Sequence, residues 1–395
     1  MDDGALGRAT LARQHLLEPL RAGDAAALVS AVGSLQAQHP EWPPVAAATR
    51  AADPRTADLA GAIARRRVVR SQLMRRTIHV VAADDFWPMW SVVQPMRVDG
   101  WRQLTKEDPT TSPIAKRLHA AHPAVHAALR ERPMSSLEID RFLAAEAGVD
   151  PNAVTRPAWR QPEAAVVARA AWRHYSAFVP LVHVPFDGER YGRSQYALAE
   201  DWLASSAPRP APGDGVADAH AHLARRYLAA FGPASIDDLA SYVGRGRGGI
   251  GIWRAAIAAL GDEAITLSAA DGRVLHDLAD APRPPSDTMV PPRLLARWDS
   301  ALLSHAASKR QRIIADEDRD RVFSKNADVL PTILVDGRVA GTWELRRTAE
   351  AVSIMLRPFR RQPRTVTEAT VAEGERLLGL IAPDAVRREV VVARP

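Results

Sequence analysis

Apolar positions along the chain recur mostly at helical spacing, broken by short stretches in which apolar and polar residues alternate. In LGRATLARQHLLEPL, Leu6, Leu11, Leu16, Leu17 and Leu20 fall near helical period and predict a first helix. DAAALVSAVGSL, residues 24–35, predicts a second, with Asp24 at its N-cap. ADLAGAIARRRVVRSQLMRRTIHVVAADDFWPMW then reads as a short helix, an arginine-rich bend, a strand at Thr77–Val81 and a new helix opened by Asp84-Asp85. Helices followed by a strand pair outline a winged helix, a compact unit that can offer one helix to a DNA groove.

The pattern returns twice. In residues 123–146 Ser135-Ser136-Leu137-Glu138 has the form of a capping box, and QPEAAVVARAAWRHYSAFVPLVHVP supplies a further helix and an alternating strand. Residues 216–278 repeat the pattern most cleanly. DAHAHLARRYLAAFGP, SIDDLASYVGR and GIWRAAIAAL are three helices, and ITLSAADGRVLHDL is a wing hairpin turning at Asp271-Gly272. Pro-rich stretches at 205–215 and 280–292 read as linkers. The expected fold is mainly α with β wings, in the α+β class, with three tandem winged-helix modules. Their spans are 1–115, 116–212 and 213–285, followed by a C-terminal β-rich region at 286–395. That region holds a hairpin at 332–343, turning at Asp336-Gly337, which either packs on a core or carries Arg338 into a groove.

Composition narrows the classes. A chain of 395 residues, 47% hydrophobic and 25% charged, is an ordinary globular protein too long for one core. It has no apolar run of about 18 residues and no basic leader, so neither a membrane span nor a secretory signal is expected. The absence of cysteine excludes disulfides and thiolate metal sites and fits the cytoplasm. Positive charge is clustered. Between Asp58 and Asp84 no acid interrupts Arg65, Arg66, Arg67, Arg70, Arg75 and Arg76, and Arg357, Arg360, Arg361 and Arg364 share a second acid-free window. Forked guanidinium groups in such number point to a phosphate-bearing polymer.

Several motifs fail on context. GRGRGG, from Gly244 to Gly249, matches a dinucleotide fingerprint but follows a predicted helix, so it reads as a loop whose Arg245 and Arg247 can touch phosphate. No lysine precedes Ser or Thr, which excludes a P-loop. His119, His122 and His126 have spacings open to a metal, but Pro123 is expected to interrupt their helix and no thiolate or well-placed carboxylate joins them. Neither metal nor cofactor is expected. The pairs Asp84-Asp85 and Asp237-Asp238 read as helix N-terminal charges.

Gln36 and Gln38, in SLQAQHP, stand apart. On a helix, residues two apart point about 200° away from each other, whereas on an extended segment they share a face. With Gly33 behind and Pro40 ahead, a helix fraying near Leu35 would let both amides project together. Two amides offer acceptors and donors without charge, enough to orient a water molecule but not to act as a strong base. A polar loop at a helix end is the plainer alternative.

SLQAQ, RRTIHVV, RRYLAAFGPASIDDLASYVG, RLLARWDSALLSH and ILVDGRVAGTW, in this order and spacing, resemble the AlkZ-like winged-helix DNA glycosylases over nearly the whole chain. The resemblance implies tandem winged helices around a DNA channel and a catalytic Gln-Φ-Gln motif, here Gln36, Ala37 and Gln38. A sister branch carries Asp at the second amide position, so the Gln at 38 implies the branch linked to self-resistance against DNA-alkylating antibiotics. His39 departs from the acidic residue more usual there. Further implied is duplex DNA with alkylated purines as partner, and, with no obvious dimerisation helix in the sequence, a monomer is expected. Arg75, Arg76 and His79 become candidates for the phosphate or lesion strand, with packing inside the fold as the alternative for His79. A non-enzymatic winged-helix regulator, or a protein that sequesters lesions without cutting, would account for the arginines but leaves the glutamine pair without a purpose.

Overall fold

The computed structural model describes the chain except residues 22, 149–163, 185–194, 208, 210–215, 245–248, 325–327, 349 and 395. It begins with α1 (Asp3–Arg13), capped by the Asp2 carboxylate, which accepts from the Ala5 N–H. The helix stops short of the predicted Leu20. His15 takes φ 53°, and the Leu16 N–H turns back to the Leu11 carbonyl at 2.9 Å. Tertiary partners hold this exit, because Arg13 is paired with Asp277 and the Gln14 amide donates to the carbonyls of Val32 and Ala230. Next come α2 (Ala25–Val32), β1 (Leu35–Gln36), α3 (Trp42–Arg50), α4 (Pro54–Ala57) and α5 (Leu59–Ala64). Asp24 caps α2 as expected, accepting from the Ala26 and Ala27 N–H groups.

The arginine-rich bend contains a strand that the sequence pattern did not disclose, β2 (Val68–Gln72), before β3 (Ile78–Ala82) and α6 (Ala83–Thr105). The elements α7 (Pro113–Glu131), α8 (Ser136–Glu146), α9 (Ala164–Phe178), β4 (Leu181–Val184), β5 (Gln195–Leu198) and α10 (Ala199–Trp202) follow. Ser135 and Glu138 close the predicted capping box on α8. Pro123 does not interrupt the helix as expected. It lies inside α7 at an exposed position, where losing one backbone donor is tolerated.

Residues 216–278 form α11 (Val216–Phe231), α12 (Ile236–Val243), α13 (Gly249–Ala258) and the hairpin β6 (Ala264–Ser268) and β7 (Val274–Leu278). Gly272 at its turn has φ 81°. The remainder is β8 (Arg293–Leu295), α14 (Ser300–Leu303), β9 (Thr332–Val335), β10 (Arg338–Arg347), β11 (Ala351–Pro358), α15 (Arg364–Ile381) and β12 (Arg387–Val392). Strands β8 to β11 pair antiparallel in sequence, and α15 carries the chain across so that β12 joins β11 in parallel. Among the described residues no helix is long and apolar enough to cross a membrane.

Two compact units result. One comprises residues 1–68, 79–82 and 220–395, the other 69–78 and 83–219. These units run across the expected boundaries. Residues 1–115 contribute to both, and 213–285 share a unit largely with 286–395. In the first unit Leu11, Leu16, Leu295, Leu302, Ile314, Leu334 and Val339 form a core; in the second, Trp101, Leu118, Val125, Leu143 and Tyr175 do so.

The turn of the hairpin at 332–343 packs against α1 and leaves Arg338 exposed. Asp336 and Gly337 have φ 46° and 74°, as a tight turn between twisted strands requires. The Asp336 carboxylate meets Arg8 at 2.7 Å, and a Cβ on Gly337 would lie 2.8 Å from Leu11. Two ion pairs in this unit are wholly enclosed. Arg13 grips Asp277 at 2.6 and 2.9 Å, and Arg50 grips Asp299 at 2.6 and 2.9 Å. Removing one partner strands the other's charge away from water. Asp299→Ala should therefore lower unfolding stability by about 3 kcal/mol or more, read as a fall in the urea midpoint, whereas Arg364→Ala, which breaks only an exposed pair with Glu368, should leave the midpoint in place.

Candidate active site

Gly33, at φ 80°, caps α2, which ends at Val32, three residues before the expected Leu35, and the chain enters a strand at Leu35 and Gln36. The resulting strand is short. β1 covers Leu35–Gln36, and the chain bends at Gln38 before α3 begins at Trp42. The two amides are presented differently, with Gln36 buried at 9% exposure and Gln38 at the surface. Ala37 between them is fully buried.

Antiparallel pairing sets Leu35 opposite Val80 and Gln36 opposite His79. Residues directly opposite on neighbouring strands have side chains on one face, within contact range. His79, fully buried, is thus Gln36's cross-strand neighbour rather than an exposed DNA-contacting residue. The segment leading into the motif is fastened along its length. Arg226 donates to the Ser30 carbonyl, and Gln14 Nε2 donates to the Val32 carbonyl at 3.2 Å. The hydroxyls of Ser34 and Tyr242 lie 2.8 Å apart, and Ser300 Oγ donates to the Ser34 carbonyl at 3.0 Å. Just past the motif, the exposed His39 ring stacks on Trp298, with centroids 4.9 Å apart and planes at 28°. The Arg297 guanidinium lies 5.0 Å from the Trp298 ring and is held by Asp328.

The predicted basic residues separate by burial. In the first unit Arg65 and Arg67 are exposed and Arg66 is half-buried, with Arg65 3.4 Å from Asp58. In the second, Arg76 is exposed and Arg75 half-buried, at the turn between β2 and β3. Both have left-handed backbone, φ 52° and 59°, a conformation uncommon outside glycine. The turn is tied by the Leu73 N–H to the Thr77 carbonyl at 2.9 Å and by Gln72 Nε2 to the Arg76 carbonyl at 2.7 Å. Buried Arg97 donates to the Gln72 carbonyl at 2.7 Å, and burial lowers its pKa to about 10.

Arg70 was expected at the DNA surface but points inward. It lies at 7% exposure on β2, in register with His183 on β4. Burial first, then the charges of Arg70 and Arg97, holds His183 neutral, well below the ordinary imidazole range. Arg338 is exposed beside its docked turn. Arg245 and Arg247 lie outside the described residues. The second arginine window is acid-free only in sequence, since Arg357 meets Glu344, Arg360 meets Asp318 and Glu317, and Arg364 meets Glu368.

The sequence pattern of the family described as DNA glycosylase AlkZ-like matches residues 29–380, which include the glutamine motif and most of both units. The chain belongs to the AlkZ-like DNA glycosylase family. Among solved structures, the Streptomyces sahachiroi DNA glycosylase AlkZ superposes with a TM-score of 0.75 at 20% identity, over 100% of both chains. No curated protein matches it by sequence. Membership in the AlkZ-like family makes the chain a DNA glycosylase, an enzyme of DNA repair.

Sequence reasoning missed the residues that hold the glutamine segment from elsewhere in the chain: Tyr242, Ser300 and Trp298. They are distant in sequence from Gln36, and no local pattern marks them. The histidines of α7 serve packing. His122 Nε2 and His174 Nδ1 are 3.2 Å apart in the second unit's core, and His126 meets Glu200 at 2.9 Å. Among the described residues, no group of three or more His, Asp or Glu could hold a metal ion. Burial and the neighbouring histidines lower His122 from 6.5 to about 3, and burial lowers His174 to about 4. The neutral rings therefore contribute stability above the unfolded value of 6.5, and it is lost as pH falls towards the folded values. Urea unfolding should show the midpoint falling between about pH 6.5 and about pH 4, with a smaller fall in His122→Gln.

Proposed function

We propose that the chain hydrolyses the N-glycosidic bond of N7-alkylguanine in duplex DNA, as a monofunctional glycosylase using Gln36 and Gln38. The observation that carries this reading is the uncharged amide pair at an anchored segment, Gln36 buried on β1 and Gln38 at the surface just beyond it. Alkylation at N7 makes the base a cation and so a good leaving group, which removes the need for a strong general acid. What remains is an oxocarbenium-like sugar and a water to trap it. Amide oxygens can orient that water and lie beside the developing positive charge. Gln38, at the surface, is suited to align the water. Gln36, buried opposite His79, is suited to support it. The motif offers no amine to form a Schiff base, in keeping with hydrolysis alone.

Arg65, Arg66, Arg67, Arg75, Arg76 and Arg338 contact phosphates in this reading, and Arg245 and Arg247 complete the set. A surface position for Gln38 favours lesions too large to be enclosed, such as antibiotic adducts or interstrand crosslinks, for which full extrusion into a pocket is obstructed. The biological role is then self-resistance or repair of alkylation damage. Three winged-helix modules in a cytoplasmic monomer complete the proposal.

Duplex DNA carrying N7-methylguanine tests it. Wild-type protein should release the free modified base and leave an abasic site. Gln38→Ala should slow release by about 100-fold or more while binding the duplex as tightly. Tight binding without release by wild type would favour a lesion-sequestering protein instead. Arg67→Ala and Arg76→Ala should each weaken binding and flatten the salt dependence of log Kd by about one unit.

A further inference from the structure

Ser34, two residues before Gln36, is held by side chains from two separate elements. Its hydroxyl shares a 2.8 Å hydrogen bond with the Tyr242 hydroxyl near the end of α12, and either can donate. Its carbonyl accepts from Ser300 Oγ, at the start of α14, at 3.0 Å. Ser34, Tyr242 and Ser300 are all buried, so neither bond competes with bulk water. Each holder is itself fixed. Ser235 and Asp238 close a capping box on the first turn of α12, and Asp238 also accepts from the Ala306 N–H at 2.9 Å. The Tyr242 ring packs against Tyr227 and Phe231, with centroids 5.1 and 5.3 Å apart. Ser300 follows Asp299, which is locked to Arg50.

A backbone carbonyl held from one side and a side-chain hydroxyl from another define both the position and the rotation of a residue. Ser34 is the residue that leads into β1, so the backbone rotation there sets which faces Leu35 and Gln36 point to. We infer that Tyr242 is a positioning residue of the glycosylase reaction: through Ser34 it fixes the orientation in which β1 presents Gln36 and, beyond it, Gln38. Tyr242 need not touch DNA to do this. A displacement of about 1 Å at a reacting group can slow a reaction by about 100-fold, so losing one buried hydrogen bond has kinetic leverage beyond its effect on folding. The inference rests on the reading of Gln36 and Gln38 as the water-orienting pair.

The test measures single-turnover base release from N7-methylguanine duplex by the full-length chain, beside duplex affinity and thermal midpoint. Tyr242→Phe keeps the ring and removes only the hydroxyl; Ser34→Ala removes the other partner and is the smaller change should Tyr242→Phe fold poorly. Each should slow release by about tenfold with duplex affinity unchanged, and the double variant should be no slower than either single one. A lowered thermal midpoint with wild-type release would assign Tyr242 to folding alone and overturn the inference. Gln38→Ala separates the two readings. If it abolishes release while Tyr242→Phe retains it, only the positioning role fails. If Gln38→Ala releases base at the wild-type rate, the catalytic reading fails and the positioning role falls with it.

Discussion

Two opposite charges buried from solvent, Arg50 and Asp299, hold the surroundings of the glutamine motif in place. Desolvating such a pair is expensive, and its bidentate geometry recovers much of that energy only when both groups stay in register. The constraint spreads along the chain in both directions. Arg50 closes α3, the helix that follows the motif, and also donates to Gln14 Oε1 at 3.2 Å. Gln14 in turn donates to Val32, at the end of the helix that precedes the motif. Asp299 stands next to Ser300, which holds the Ser34 carbonyl. A single buried ion pair thus ties together the approach to Gln36, its exit, and a segment more than 200 residues away in sequence.

A rigid mount suits the chemistry assigned to these residues. An ionised carboxylate supplies its own electrostatic pull and tolerates some misplacement, whereas a neutral amide acts only through the direction of its dipole. A catalyst made of amides therefore depends on orientation more than one made of acids. In the reaction proposed above, the cationic leaving group relieves the demand for acid and base strength, and the fold supplies the alignment. The division between a buried Gln36 and a surface Gln38 follows from the same mount, because β1 pairs over only two residues before the chain bends away.

What could be read from the sequence was local. The Asp24 cap, the capping box at Ser135 and the turns at Asp271-Gly272 and Asp336-Gly337 all depend on residues a few positions apart, and all are present. What could not be read depended on distant partners. The first helix ends at Arg13 because Arg13 and Gln14 bond across the fold. β2 was hidden because the arginines on either side of it read as a bend, while its own Arg70 is buried in register with His183. The second arginine cluster looked free because its acids lie elsewhere in sequence. For the glutamines, spacing suggested extended chain and the family resemblance suggested a role. Neither disclosed that His79 faces Gln36 or that Tyr242 steadies Ser34.

The central claim is that the damaged nucleotide meets the protein at Gln36 and Gln38. A crystal structure of the wild-type chain with a duplex carrying 2′-fluoro-N7-methylguanosine, whose glycosidic bond resists cleavage, tests this most directly. The account predicts the sugar C1′ of the lesion facing Gln38, with a water between them bonded to a glutamine side-chain oxygen. A lesion seated away from the motif, with both amides turned from the DNA, would contradict it.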